Sequence, residues 1–278
     1  DHGKLRHIFA TVTPGLVFAT SAAYARAIAA VVPSDVAVVL TEGQIEGRET
    51  IAFDTLRQID RLKINGIDFA LEVSTDCEVH DEDGNHVFGI CEYDPYAPDT
   101  AMVCVSPVGE KLSELLALST LAHELGHAVF DAPGWIMDGG KGPGLFDALE
   151  PVVQRAYRTT TPDSEHLAKV PTAPSAAMAT EVHFAELRAN EFMGSLLVPR
   201  KLLSTAAEEL ASEYNVSIHR GPSLDPEIPG TSMQLAASDA ADMELLQRAL
   251  ALRFGVNPRF VQVRLQRYGL IRPENAVR

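Results

Sequence analysis

EKLSELLALSTLAHELGHAVF, residues 110–130, carries apolar side chains that recur at helical spacing, among them Leu112, Leu115, Leu116, Ala122 and Leu125. Ser106-Pro107 gives a start signal upstream and Ala132-Pro133-Gly134 a stop downstream, so the stretch reads as one helix from Glu110 to Phe130. Near its end stands His123-Glu124-Leu125-Gly126-His127. Four residues is just over one helical turn, so both imidazoles leave the same face and can share one Zn²⁺ at about 2.0–2.1 Å. Glu124 lies about 100° round from His123, beside such an ion. There it can take a proton from a water that the ion has acidified and pass it to a leaving amine, the logic of an HExxH metallopeptidase. Gly126 costs the helix about 1 kcal/mol relative to alanine, which makes sense if another segment must approach closely at that point.

On the N-terminal side of this helix the texture is that of strands. Short β-branched runs at Val36–Leu40, Gly66–Val73, His86–Cys91 and Ala101–Val105 are separated by turn chemistry such as Asp83-Gly84-Asn85. They suggest a small antiparallel sheet with a helix at about Thr50–Lys63 packed on it. His80 and His86 flank an acidic turn that lacks the 12-residue pattern of an EF-hand, so it reads as a hairpin tip. Gly15–Val32, Ala-rich with only Arg26 charged, reads as a core-packed helix from about Ser21 to Val31 rather than as a secretory leader.

Beyond the helix, residues 131–180 are rich in Pro and Gly. They read as a loop or lid insertion with one helix at Leu145–Arg158 and an open tract from Thr159 to Thr180. A second strongly patterned helix follows at about Ala177–Leu197, closed by Pro199, and the chain after it reads as mostly helical. The expected division is 1–200 for the sheet and the two motif helices and 201–278 for a C-terminal helical subdomain.

A catalytic zinc usually keeps three protein ligands and one open position, so a third donor must come from outside the first helix. The candidate helix runs EVHFAELRANEFMGSLLVP, residues 181–199. HELGH followed by E-x-x-A-N-x-F-x-x-x-L-L-x-P, here Glu186, Ala189, Asn190, Phe192, Leu196, Leu197 and Pro199, resembles the ImmA/IrrE metallopeptidases. The likeness extends to Gly89, to Tyr93 and to the strand Met102–Val105. It reappears in Leu252-Arg-Phe-Gly-Val-Asn and Arg264-Leu-Gln-Arg-Tyr-Gly-Leu-Ile271, which are similar to that family's helix-turn-helix-like tail. It implies an α+β fold with zincin-like active-site helices and a third zinc ligand at Glu186. It also implies a cytoplasmic endopeptidase whose substrates are helix-turn-helix repressors, acting in stress response or mobile-element control. Zn²⁺ is the expected cofactor, with Mn²⁺ or Fe²⁺ as alternatives. Departures are Met193 where alanine is usual, Arg188 where an acidic or amide residue is common, and a long gap between His127 and Glu186 that implies an insertion.

Other roles around Glu186 stay open. Asn190, one turn on, either accepts the free ring N–H of His123 or His127 or is a packing amide. His183 shares the face of Glu186 and is a competing ligand, an oxyanion donor or a rim residue, whereas Glu191 lies about 140° away from Glu186.

Composition bounds the partners. The 278 residues are 46% apolar, enough for a large core, and the net charge of −15 repels phosphate backbones. The tail 245–278 reverses this locally, with seven arginines against Glu274 alone. That pattern fits DNA contact and fits equally a basic helix pair docked on an acidic remainder. Cys77, Cys91 and Cys104 show no CxxC spacing and read as buried, inert thiols in a reducing compartment. The rival to a peptidase is a metal-dependent regulator that binds DNA or a repressor without cutting it. Such a protein has no need of Glu124.

Overall fold

The computed structural model describes residues 50–81, 84–94, 96–139, 154–158, 176–222 and 231–272; side chains at 139, 154–158, 176–183, 231 and 232 are not described. The expected segments Val36–Leu40 and Ser21–Val31 lie outside these residues, as do most of Leu145–Arg158 and of Thr159–Thr180. The chain is mixed α+β and divides into two compact units, one within 52–196 and one formed by 50–51 with 197–272.

In the first unit a five-stranded sheet has the order β1-β2-β6-β5-β7, with β1 at Arg61–Ile64, β2 at Ile67–Ser74, β5 at Gly89–Tyr93, β6 at Thr100–Val105 and β7 at Gln154–Arg158. Asn65 and Gly66, both at positive φ, form the tight turn between β1 and β2. Two left-handed residues match the twist of a two-residue hairpin, and Asn-Gly is the pair that tolerates them. The sheet is mixed rather than antiparallel: β2 and β6 run parallel, while the other neighbours are antiparallel. A short helix α1, Phe53–Arg57, precedes β1 in place of the expected helix over Thr50–Lys63. The alternation of exposed Arg61 and Lys63 with buried Leu62 and Ile64 belongs to a strand.

Gly89, Cys91 and Tyr93 of β5 share a face with Val103 and Val105 of β6, and Leu71 and Val73 of β2 join Ala101 and Val103 on it. Against this face packs α2, Glu114–Phe130, whose residues from Ala117 to Val129 are all buried. Ser113 caps it by accepting the N–H of Leu116, so the helix starts four residues later than the sequence suggested. Nor does Ala132-Pro133-Gly134 end helical structure, because α3 begins there and spans Ala132–Gly139. Proline is tolerated in a first turn, where its missing N–H has no partner to lose.

The opposite face of the sheet carries a smaller core in which Ile90 meets Val79 and Val87 of the hairpin β3 (Val79–His80) and β4 (His86–Val87). Ser106 ties it down, accepting from the Val79 N–H and donating to the Val87 carbonyl. The hairpin tip agrees with the sequence reading, with Asp81 accepting from the Asn85 N–H at 2.7 Å. The expected helix Leu145–Arg158 ends in strand β7 instead, paired from Gly89↔Arg158 to Tyr93↔Gln154. Helix α4 then spans Ala176–Leu197 and absorbs the last residues of the expected lid.

The second unit holds α5 (Arg200–Leu210), a hairpin of β8 (Val216–Pro222) and β9 (Thr231–Ala237), α6 (Ala240–Phe254) and α7 (Pro258–Arg267). The sequence reading missed the hairpin. Asp239 caps α6, Gly255 ends it at φ +64°, and Asn257 caps α7 with Pro258 at its first position, so a short turn joins the two C-terminal helices. Leu203, Leu246, Leu250, Val261 and Leu265 form its core. No described helix is long and apolar enough to cross a membrane.

Candidate metal centre

Helix α2 buries His123 and His127 one turn apart on the side where α4 crosses it. Their Nε2 atoms lie 3.2 Å from each other. From α4, Glu186 offers Oε2 at 3.3 Å from His123 Nε2 and Oε1 at 3.3 Å from His127 Nε2, with its side chain one-third exposed. Three ligands held tetrahedrally at 2.0–2.1 Å from one ion stand about 3.3–3.4 Å apart. The two Nε2 atoms stand near such an edge length, each with one Glu186 oxygen at a similar distance, and one donor atom from each of the three residues lies within 4.8 Å of the others. The donor set of two imidazoles and a carboxylate suits zinc. The described residues add no fourth His, Cys, Asp or Glu to the cluster.

The sequence explains why two helices can meet this closely. A Cβ on Gly126 would lie 2.8 Å from Ala189 Cα and 3.1 Å from its carbonyl oxygen, so α2 and α4 touch backbone to backbone one residue before His127 and three after Glu186. This is the close approach that Gly126 suggested. Phe130 and Phe192 pack edge to face nearby, with ring centroids 6.0 Å apart. On the sheet side a Cβ on Gly89 would meet Thr120 Cγ2 at 2.6 Å and Glu124 Oε1 at 3.0 Å, so this glycine makes room for the wholly buried Glu124. Cys91 shares the Gly89 face, and burial followed by the Glu124 charge pushes its thiol well up; burial raises Cys104 to about 11. Cys77 is exposed, against the expectation of three buried thiols.

The far nitrogen of His127 is also held. Its Nδ1 lies 2.7 Å from Asp131 Oδ2, and the other Asp131 oxygen accepts from the Arg188 guanidinium on α4. Burial works against a charged His127, but Asp131 and Glu186 outweigh it and raise the imidazole to about 10. Burial likewise opposes charge on Glu186 and Asp131, yet the two imidazoles hold Glu186 far below the usual carboxylate range, and His127 with Arg188 holds Asp131 low. The two carboxylates thus favour positive charge at the imidazole pair.

Asp131 and Arg188 were not among the expected site residues. Asp131 follows His127 by four positions, the same spacing that pairs His123 with His127, and the helical period was the signal for it. Arg188 appeared only as a departure from the family pattern. Asn190 does not hold His127, since Asp131 takes that nitrogen and the Asn190 amide donates to the Glu186 carbonyl at 2.8 Å. His183 lies on α4 three residues before Glu186, and its side chain is outside the described set. Glu186→Ala is expected to abolish stoichiometric zinc, while His183→Ala keeps it. Metal analysis of the two purified variants checks this, and the reverse order refutes the assignment of Glu186.

No protein-family model matches the chain, and no curated protein or solved structure matches it.

Proposed function

We propose that this protein is a zinc-dependent endopeptidase of the ImmA/IrrE type that cuts a cytoplasmic helix-turn-helix repressor. The observation that carries the reading is the cluster of His123 Nε2 and His127 Nε2, 3.2 Å apart, with one Glu186 oxygen 3.3 Å from each of them, and Glu124 between the two histidines in sequence. Among the described residues the set has three donors, as catalytic zinc usually has, whereas structural zinc is usually closed by four protein ligands. Bound there, a divalent cation supplies Lewis acidity, which polarises a peptide carbonyl and makes a water acidic enough to lose a proton near neutral pH.

The chain's own residues do the rest. Glu124 accepts the proton of the water that adds to the carbonyl carbon, and returns it to the amine as the carbon–nitrogen bond breaks. With a cation in place of the Nε2 proton, Asp131 would hold the remaining His127 proton on Nδ1 and so present the Nε2 lone pair to the ion. The motif resemblance supports the repressor as substrate, and zinc is the first metal to test, with Mn²⁺ and Fe²⁺ after it. Incubating the full chain with the repressor encoded in the neighbouring operon is expected to give two fragments. A chelator should stop the reaction and added zinc restore it. Cleavage that persists in chelator, or a repressor left intact by the zinc-loaded chain, overturns the proposal.

A further inference from the structure

The Arg188 guanidinium and the two oxygens of Asp131 link α4 to the back of His127, and we infer that Arg188 is a positioning residue for the metal site, acting through Asp131. The inference rests on the reading of His123, His127 and Glu186 as metal ligands. Helix α4 reaches the His127 ring from both ends. Glu186 Oε1 lies 3.3 Å from Nε2, and Arg188, two residues on, holds the carboxylate that lies 2.7 Å from Nδ1. A ring held at both nitrogens can neither flip nor exchange its tautomer without breaking its contact to Glu186 or to the Arg188-bound Asp131.

Asp131 is poorly placed without Arg188. It caps the C-terminus of α2, where unsatisfied carbonyls disfavour a second negative charge, and its side chain is only 8% exposed. One oxygen goes to His127 and the other to the guanidinium, so each partner satisfies one side of the buried carboxylate. Removing one member of such a pair leaves an uncompensated charge, and the survivor turns toward water or another donor. For Asp131 that movement takes it off His127. Arg188 thereby joins two duties: it holds α4 against the end of α2, and it keeps His127 aimed.

The test is zinc affinity of the full chain, measured by competition with a chromophoric chelator, with helix content and melting temperature followed in parallel. Arg188→Met and Asp131→Asn should each weaken zinc binding by about 10–100-fold, the usual loss when the group behind a metal-ligating histidine is removed. Arg188→Lys, which keeps the charge, should recover part of the loss and covers the case in which the Met variant fails to fold. The double variant Asp131→Asn/Arg188→Met should be no weaker than Asp131→Asn alone, because Arg188 acts only through Asp131. A folded Arg188→Met that binds zinc like the wild type, a lysine variant with no recovery, or additive losses in the double variant each overturn the inference. His123→Ala separates the two readings: zinc lost there but retained in Arg188→Met removes the positioning role alone, whereas a wild-type chain that binds no zinc removes both.

Discussion

Glu124→Gln is expected to keep the metal and the fold while cutting repressor hydrolysis by about 10²–10⁴, the usual worth of a positioned general base. The side chain sits wholly buried between the sheet and its own helix, where Gly89 leaves room for it. Glutamine has the same length and branching, so it fills this space without pressing on β5, and it leaves His123, His127 and Glu186 untouched. What it lacks is a basic oxygen able to accept the proton of the attacking water. Turnover of the repressor and zinc content, measured on one preparation, check the expectation. Full activity in a zinc-loaded Glu124→Gln protein rules out the base, and a parallel loss of zinc shows that the residue acts through the site's structure instead.

How much of the site was readable depended on how local its signals are. His123, Glu124 and His127 lie within five residues of one helix, and helical periodicity alone puts the two imidazoles on one face. Glu186 came from the resemblance, since the gap to His127 hides the crossing of α2 and α4. That crossing is fixed by Gly126 against Ala189, a contact that sequence announces only as an unexplained glycine in a helix. Asp131 was obscured by the residues after it, because Ala132-Pro133-Gly134 looked like the end of the helical region. The strands were legible where side chains alternate, but pairing direction was not: nothing within β2 or β6 says that they run parallel. For β7 the sheet decided, because an edge of β5 offered hydrogen bonds to a segment whose own pattern looked helical. The missed β8–β9 hairpin and the overlong first helix are different, since Val216-Ser-Ile-His-Arg220 and Arg61-Leu-Lys-Ile64 both alternate and β1 runs into an Asn-Gly turn.

Gly126→Ala is expected to leave a folded protein that no longer holds zinc. Two effects oppose each other. Alanine favours the helix over glycine by about 1 kcal/mol, while inserting a methyl into a close-packed contact typically costs about 1–3 kcal/mol. Net stability should therefore move little. The geometry cannot stay put, because the new Cβ would stand 2.8 Å from Ala189 Cα, a backbone atom that no side-chain rotation can move. Ordinary carbon contacts lie at about 3.5–4.0 Å, so α4 must retreat from α2 by roughly 1 Å at this point. Glu186 is three residues from Ala189 on the same helix and retreats with it. Its oxygens now stand 3.3 Å from the two Nε2 atoms, and metal–ligand distances tolerate only about 0.2 Å of error. A shift several times that tolerance leaves a two-histidine site. Zinc stoichiometry should fall well below one per chain and hydrolysis with it, while the melting temperature of the metal-free protein stays within a few degrees of the metal-free wild type. A Gly126→Ala protein with full zinc and wild-type turnover shows that the helices do not need this contact to build the site.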